Sequence, residues 1–229
     1  MTGRHGLPEA APLAQALAAR LALRPGAWST SSPFPPSRGL KTSSAAAAAL
    51  ARAALAAEGR APLADEELER ACVDASLQAG VTLTGAFDDQ VACVRGGCHL
   101  ADNRARRTLA RLRVPDWHVA VWVPAHGIPK RDVRGIDASA VRKECEDAEA
   151  SARRGDVAAA LTANGAAFVR LYAAHGLPVT ARPAEVALAH GADGAGLSGT
   201  GPAVAALFTS PVRLPEVAGG TWVWSRVAA

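Results

Sequence analysis

An alanine-rich run that follows a glycine turn is the feature that most constrains how this chain can fold. The segment AAAAALARAALAA begins at residue 45, and alanine has the highest helix propensity of all residues, so it predicts a helix. Gly39 precedes it, followed by Thr42, Ser43 and Ser44. The sequence therefore predicts that a glycine turn leads directly into the free N–H groups of a helix start.

Composition narrows the class of protein. Alanine supplies 55 of 229 residues, and 49% hydrophobic with 20% charged residues excludes a disordered chain. The net charge is +4, but the arginines are spread along the chain and aromatic residues make up 4%, so we expect no nucleic-acid partner. No apolar run reaches membrane-spanning length without a charge or a breaker, and the first residues are too polar for a signal peptide. We therefore expect a cytoplasmic protein without membrane partners.

The cysteines and histidines show no metal-site spacing. Cys72, Cys93, Cys98 and Cys145 form no C-x-x-C pair and are expected to be reduced, mostly buried thiols. The histidines never pair at ligand spacing, so they are expected to be ordinary surface or core residues. Trp117, Trp122, Trp222 and Trp224 lie in or beside predicted strands and are expected in the core.

Periodicity predicts an α+β fold of two units that meet near Arg113, with domains 1–113 and 114–229. The predicted helices are 8–24, the alanine run, 64–79 with Asp65 as its cap, 137–153, 155–174 and one near Pro183. The predicted strands are 81–84, 91–94, 98–101, WHVAVWVP from 117, VAALF from 204 and TWVWSRV from 221.

The first motif that can carry chemistry is the helix start Gly39-Leu40-Lys41-Thr42-Ser43-Ser44. Helix N-termini attract phosphate, a hydroxyl can bind phosphate or Mg²⁺, and Lys41 adds a cation. It is not a P-loop, because the order G-x-x-x-x-G-K-[ST] is absent. An ordinary capped helix remains the alternative.

The second motif is Thr84-Gly85-Ala86-Phe87-Asp88-Asp89, closed by Gly96-Gly97. Adjacent carboxylates repel unless one is paired or binds a cation. One of them can orient or deprotonate a hydroxyl. A solvated turn is the alternative, since Asp and Gly are turn formers.

The third motif is the glycine-rich segment 191–202. It contains Gly194-x-Gly196-x-x-Gly199, but Pro202 and a strand follow instead of a helix, so we reject a dinucleotide-binding fold. A glycine turn between strands, with Ser198 and Thr200 facing a ligand, stays open beside a purely structural tight turn.

The order of the three motifs resembles that of the GHMP kinase superfamily. Within it, GLKTSSA, AGVTLTGAFDD, the pair Asp102-Asn103 and GLSGTGPAVAAL resemble the archaeal type of shikimate kinase. The similarity extends over residues 8–229. It implies the two-domain GHMP fold, whose C-terminal domain is a ferredoxin-like α/β sandwich. It also implies ATP- and Mg²⁺-dependent phosphorylation of the 3-hydroxyl of shikimate, in aromatic amino-acid and chorismate biosynthesis.

The resemblance also implies roles for residues. Asp89, seven residues before Gly96, would be the catalytic aspartate, supported by Asp88 and by the cation of Lys41. Ser43 would be the magnesium ligand. The nucleotide would be held by Gly39, Leu40, Lys41, Thr42, Ser43 and Ser44, and by Ser198, Gly199, Thr200 and Gly201.

Three departures from the family pattern bear on activity. Family members begin with several strands and a further glycine motif, whereas this chain begins with a predicted helix, so we expect an incomplete N-terminal domain. Gln78 stands where a magnesium-binding glutamate is common. The stretch 211–220 is short where a longer helix is usual.

Several alternatives stay open. The substrate could be homoserine or mevalonate, although Lys41 and TGAFDD favour shikimate, and a truncated non-catalytic remnant is a further possibility. The shikimate carboxylate has three candidate partners by charge, Lys41, Lys130 and Arg131. The oligomeric state is open, a homodimer included.

Overall fold

The chain is described by a computed structural model that covers residues 5–7, 10–82 and 84–227. It divides into two compact units. The first takes in the described residues of Met1–Pro36 and Lys41–Arg111, and the second those of Ser37–Leu40 and Leu112–Ala229. The mixture of helices and sheets confirms the α+β class. The assignment of residues 1–113 and 114–229 as the two GHMP domains stays a prediction.

Helices dominate the first unit. Its elements are α1 (Ala10–Leu21), α2 (Thr42–Ala57), α3 (Asp65–Gln78), α4 (Phe87–Arg95), β1 (Cys98–Asp102) and β2 (Arg107–Leu112), and β1 and β2 form a two-stranded sheet. Leucines at i, i+4 spacing on α1, Leu13 and Leu17, are fully buried and pack with the alanine face of α2. Because alanine side chains are small, α2 can lie close to its neighbours.

Two sequence predictions for this unit are wrong. Residues 91–94 form part of α4 and not a strand, because Phe87, Val91 and Val94 recur at i, i+4, i+7 and bury one helical face. The described residues of 81–84 form no strand either. Leu83 lies outside the described residues, as do Pro8 and Glu9 of the predicted first helix.

The cap predicted for α3 is also wrong. Ala64 is the N-cap of that helix and makes no side-chain capping bond, while Asp65 is the first helical residue. Asp65, Glu66 and Glu67 instead place three carboxylates in the first turn, where the helix dipole stabilises negative charge.

A four-stranded antiparallel sheet forms the base of the second unit, in the order β4-β5-β3-β6. Its strands are β3 (His118–Pro124), β4 (Gly194–Leu197), β5 (Val204–Phe208) and β6 (Gly220–Arg226). The register pairs Trp122 of β3 with Val204 on one side and with Trp222 on the other. Gly220 and Trp222 of β6 are half-buried and the other residues of that strand are exposed, as is common for a strand at the edge of a sheet.

The helices of the second unit are α5 (Lys130–Val133), α6 (Arg142–Arg153), α7 (Val157–Ala174) and α8 (Arg182–Ala189), with a 3-10 turn at Ala138–Val141. Helix α7 lies directly on β4. A Cβ added to Gly165 of α7 would come within 2.5 Å of the Cα of Gly196 in β4. The glycines thus allow a helix and a strand to approach backbone to backbone.

Two further predictions fail in this unit. Gly194 and Gly196 belong to strand β4 and not to a turn, because the glycines serve the close approach of α7. Trp224 is exposed rather than in the core, and its ring lies 5.3 Å from that of Phe208. Trp117 and Trp122 are buried as predicted.

One helix among the described residues, α7, is long and apolar enough by length and composition to cross a membrane. Core helices of soluble proteins can have the same length and composition. Here α7 packs against β4, and its Arg170 pairs with Glu144 of α6 at 2.6 Å. The absence of a membrane partner stays a prediction.

The four cysteines are free, as predicted, but only Cys72 is fully buried; Cys93, Cys98 and Cys145 are half-buried. Burial raises the pKa of Cys72 to about 12. A buried thiol of this kind is protonated and unreactive near neutral pH.

Candidate active site

An ion pair in the first unit joins two helix starts. The Nζ of Lys41 lies 2.5 Å from the Oδ1 of Asp89, and the side chains are 36% and 15% exposed. Lys41 is the N-cap of α2, and Asp89 is in the first turn of α4. The structure therefore brings together two of the predicted catalytic residues.

The start of α2 departs from ordinary capping. The N-cap is Lys41, in the left-handed region at φ 57°, and it makes no side-chain capping bond. Thr42, Ser43 and Ser44 are the first three helical residues and are half-buried. The hydroxyl residues thus lie inside the first turn, which disfavours the simple capped-helix alternative. A non-glycine residue held at positive φ costs free energy, as is often found at functional sites.

Asp88, beside Asp89, is placed differently. Asp88 is exposed, and its backbone N–H donates to the Oδ1 of Asn103 at 2.8 Å. Asn103 lies in the turn between β1 and β2 and satisfies one of the orphan donors at the start of α4. Lys41 therefore pairs with Asp89 and not with Asp88. Asn103 contributes to this site, although the sequence motifs assign it no role.

The charge of Asp89 affects Cys93, which lies one turn further along α4. Burial, followed by the charge of Asp89, raises the pKa of Cys93 to about 11, and Lys41 opposes this shift. The thiol of Cys93 is therefore neutral at physiological pH.

The second unit contains the remaining predicted binding residues, in two glycine turns that touch. Gly39 has φ 77°, and a Cβ there would come within 2.8 Å of both the N and the O of Gly201. The hydroxyl of Ser198 donates to the carbonyl oxygen of Gly39 at 3.0 Å. Only glycine fits at position 39, because the backbone angle is in the left-handed region and there is no room for a side chain.

These turns leave backbone donors without partners. Among the described residues, the N–H groups of Gly39, Leu40, Gly199 and Thr200 have no hydrogen-bond acceptor. Gly199 and Gly201, like Gly39, have positive φ. Successive N–H groups in such conformations can form concave sites for anions. Ser198 itself is engaged by Gly39, whereas Thr200 is exposed.

The donor set suits a metal ion held mainly by its substrate. Among the described residues, no group of three His, Cys, Asp or Glu side chains could hold a metal. Mg²⁺ often keeps several waters and binds one or two protein oxygens together with substrate phosphates. The hydroxyl of Ser43 in the first turn of α2 fits that mode. Gln78 is the exposed last residue of α3.

The candidate partners of a substrate carboxylate belong to both units. Lys41 is engaged by Asp89, while Lys130 and Arg131 lie in α5 of the second unit. Both of these are exposed, and the Nε of Arg131 lies 3.4 Å from Asp132.

The chemistry open to the first unit follows from its charges. A carboxylate beside an ammonium group can accept a proton from a neutral hydroxyl, and the ammonium can bind an anion. The first-turn amides of α2 favour an anion at the same end of that helix. Such parts suit transfer of an anionic group to an alcohol.

Comparisons with known proteins agree with this arrangement. Residues 10–97 match the family model described as the GHMP kinases N terminal domain. The chain is 42% identical over 179 residues to a shikimate kinase of Halobacterium salinarum, covering 78% of this chain and 61% of that protein. It is 38% identical over 185 residues to a shikimate kinase of Thermococcus kodakarensis, covering 81% and 66%.

A solved structure shares the fold. The homoserine kinase from Cytophaga hutchinsonii superimposes with a TM-score of 0.65 at 19% identity, over 88% of this chain and 66% of the other. The present chain spans about three fifths of the length of the Halobacterium relative. The matched residues 10–97 contain both Lys41 and Asp89 with the helix starts that carry them. With this match and with relatives that are 42% and 38% identical, the chain belongs to the GHMP kinase family.

Proposed function

We propose that this protein transfers the γ-phosphoryl group of ATP to the 3-hydroxyl of shikimate, giving shikimate 3-phosphate and ADP. The observation that carries the proposal is the ion pair of Lys41 and Asp89 at two helix starts. The names of the relatives, shikimate kinases that are 42% and 38% identical, support the choice of acceptor. The proposed setting is chorismate biosynthesis in the cytoplasm.

In the proposed reaction, Asp89 accepts the proton of the shikimate hydroxyl as its oxygen attacks phosphorus. Its position in the first turn of α4 and its contact with Lys41 favour the ionised carboxylate, the form that accepts a proton. Phosphoryl transfer depends mainly on positioning and charge neutralisation, which Lys41 and the two glycine turns supply.

Phosphate binding is proposed for Gly39–Ser44 and for Ser198–Gly201. The unpartnered N–H groups of Gly39, Leu40, Gly199 and Thr200 support this role. When bound, Mg²⁺ would neutralise phosphate charge, and Ser43 would be its protein ligand. Asp88 is proposed to act only through the local charge, since its side chain is exposed.

A coupled assay that detects ADP tests the proposal on the full chain. Shikimate, homoserine and mevalonate are supplied in parallel at equal concentrations with MgATP. We expect turnover with shikimate alone. Turnover with another alcohol and none with shikimate would overturn the choice of substrate. Nucleotide binding without turnover of any alcohol would instead favour a non-catalytic nucleotide-binding protein.

A further inference from the structure

We propose that Arg38 is a positioning residue for phosphate binding, which holds the turn at Gly39–Leu40 against the turn at Ser198–Gly201. The inference rests on the proposed binding of ATP by these turns. Arg38 precedes the motif that the sequence singled out, and all of its contacts described below lie within the second unit.

The side chain of Arg38 bridges two consecutive carbonyl groups. Its Nε donates to the oxygen of Pro124 at 2.9 Å, and its Nη2 donates to the oxygen of Ala125 at 2.6 Å. Pro124 is the last residue of β3, which is an interior strand of the four-stranded sheet. The guanidinium is therefore held at the end of that strand. The planar fork of an arginine can make both bonds at once, whereas the ammonium of a lysine cannot reproduce that geometry.

The backbone around Arg38 is fixed as well. Its carbonyl oxygen accepts from the N–H of Ala203 at 3.0 Å, and the oxygen of Ser37 accepts from the N–H of Ile128 at 3.0 Å. Gly127 allows this approach, because a Cβ there would meet the carbonyl carbon of Ser37 at 3.0 Å. Burial lowers the pKa of Arg38, in agreement with a guanidinium partly withdrawn from water.

These contacts set the position of Gly39 from one side, and the Ser198 hydroxyl holds the Gly39 carbonyl from the other. The N–H groups of Gly39 and Leu40 stay without partners between these fixed points, among the residues that the structure describes. Donors held in place before an anion arrives bind it more tightly, because no ordering cost falls on the binding step. The side chain of Arg38 thus acts through the backbone amides and does not itself touch the ligand.

Two variants of the full chain, Arg38→Gln and Arg38→Lys, test the inference beside Arg213→Gln, which removes an exposed arginine from the same unit. Calorimetry measures the Kd for MgATP, thermal unfolding measures Tm, and kinetics measures KM for each substrate. We expect Arg38→Gln to raise the Kd and the KM for ATP by about tenfold or more, since hydrogen bonds to a charged group are lost. The KM for shikimate should stay unchanged. Arg38→Lys should give Kd and KM values for ATP between those of Arg38→Gln and those of the unaltered chain. Arg213→Gln should give the same values as the unaltered chain.

Two outcomes overturn the inference. A purely structural role for Arg38 would lower Tm in both variants while the folded protein bound MgATP with unchanged Kd. An unaltered chain that bound no nucleotide would refute the proposed role of the turns directly. An unaltered chain that bound MgATP but did not phosphorylate shikimate would refute the proposed function alone, and the binding data would still decide the role of Arg38.

Discussion

At the scale of single residues, Lys41 and Asp89 depend on each other. Each is in the first turn or the N-cap of a helix, where a negative charge is stabilised and a positive charge is not. Lys41 is therefore tolerated at its position by its contact with the carboxylate, and Asp89 is stabilised by both the ammonium and the dipole of α4. The pair places the proposed proton acceptor against a cation in a half-buried position.

Replacement of Asp89 tests this role. We expect Asp89→Asn to lower kcat by about 100-fold or more, because an amide cannot accept the proton and general-base catalysis contributes at least that factor. MgATP binding should stay close to that of the unaltered chain. Steady-state kinetics and calorimetry measure the two effects separately.

Asp65→Asn is the control, since Asp65 is likewise a first-turn carboxylate, in α3, but is exposed. It should keep full activity and lose at most about 1 kcal/mol of stability through the helix dipole. Near-normal turnover by Asp89→Asn would show that Asp89 is not the proton acceptor.

The hydroxyl of Ser43 is tested by a magnesium titration. Ser43→Ala should raise the Mg²⁺ concentration needed for half-maximal rate, because one protein oxygen is removed from the proposed ion. Thr42→Ser, which keeps a hydroxyl in the same turn, should not change the Mg²⁺ concentration needed for half-maximal rate. A Ser43→Ala curve that superimposes on that of the unaltered chain would rule out Ser43 as a ligand.

At the residue level, a sequence motif can mark a candidate residue, whereas a contact set only by the folded backbone leaves no pattern in the sequence. The glycine turn before α2 and the acidic pair were visible as sequence patterns. Arg38 was not, because its partners are carbonyl groups 86 and 87 residues away, which no side-chain pattern marks. The bond from the Asp88 N–H to Asn103 is hidden in the same way, although the Asp102-Asn103 pair is visible in the sequence.

At the scale of elements, short β-branched runs and glycine runs were the sources of error. VACV has strand propensity, yet the helical spacing of Phe87, Val91 and Val94 decides the structure of α4, since burying one face outweighs intrinsic preference. The residues GAGL in β4 look like a turn by composition. They form a strand because α7 requires a surface without side chains there.

The contact between α7 and β4 gives a prediction at this scale. Gly165→Ala should destabilise the protein by about 1–3 kcal/mol, because its methyl group would overlap the backbone of Gly196 and Leu197. Urea unfolding measures the change. Ala166→Ser, on the exposed side of the same helix, should stay within about 0.5 kcal/mol of the unaltered chain. Equal stability of the two variants would contradict the close approach of α7 and β4.

At the scale of the whole molecule, the raised pKa of Cys93 contributes to the response of stability to alkaline pH. The pKa of Cys93 is raised to about 11 in the folded chain from an ordinary value of 9.0. Between these two values the folded state holds a proton that the unfolded state has released. Stability should therefore fall as pH rises from 9 to 11.

The expected contribution of Cys93 is on the order of 1–2 kcal/mol by pH 11, after allowance for its partial exposure. Chemical denaturation at several pH values measures it as the difference in slope between the unaltered chain and Cys93→Ala. Cys145→Ala, in the second unit, should keep the slope that Cys93 contributes. Parallel pH profiles for the unaltered chain and Cys93→Ala would contradict the assignment.

The four residues Ser37–Leu40 come from the first half of the chain but belong to the second unit. This membership has a consequence for recombination. A chimaera that exchanges residues 112–229 for the corresponding half of a relative would leave Arg38 facing foreign carbonyl groups and Gly39 facing a foreign turn. A crossover compatible with the native contacts has to exchange Ser37–Leu40 as well.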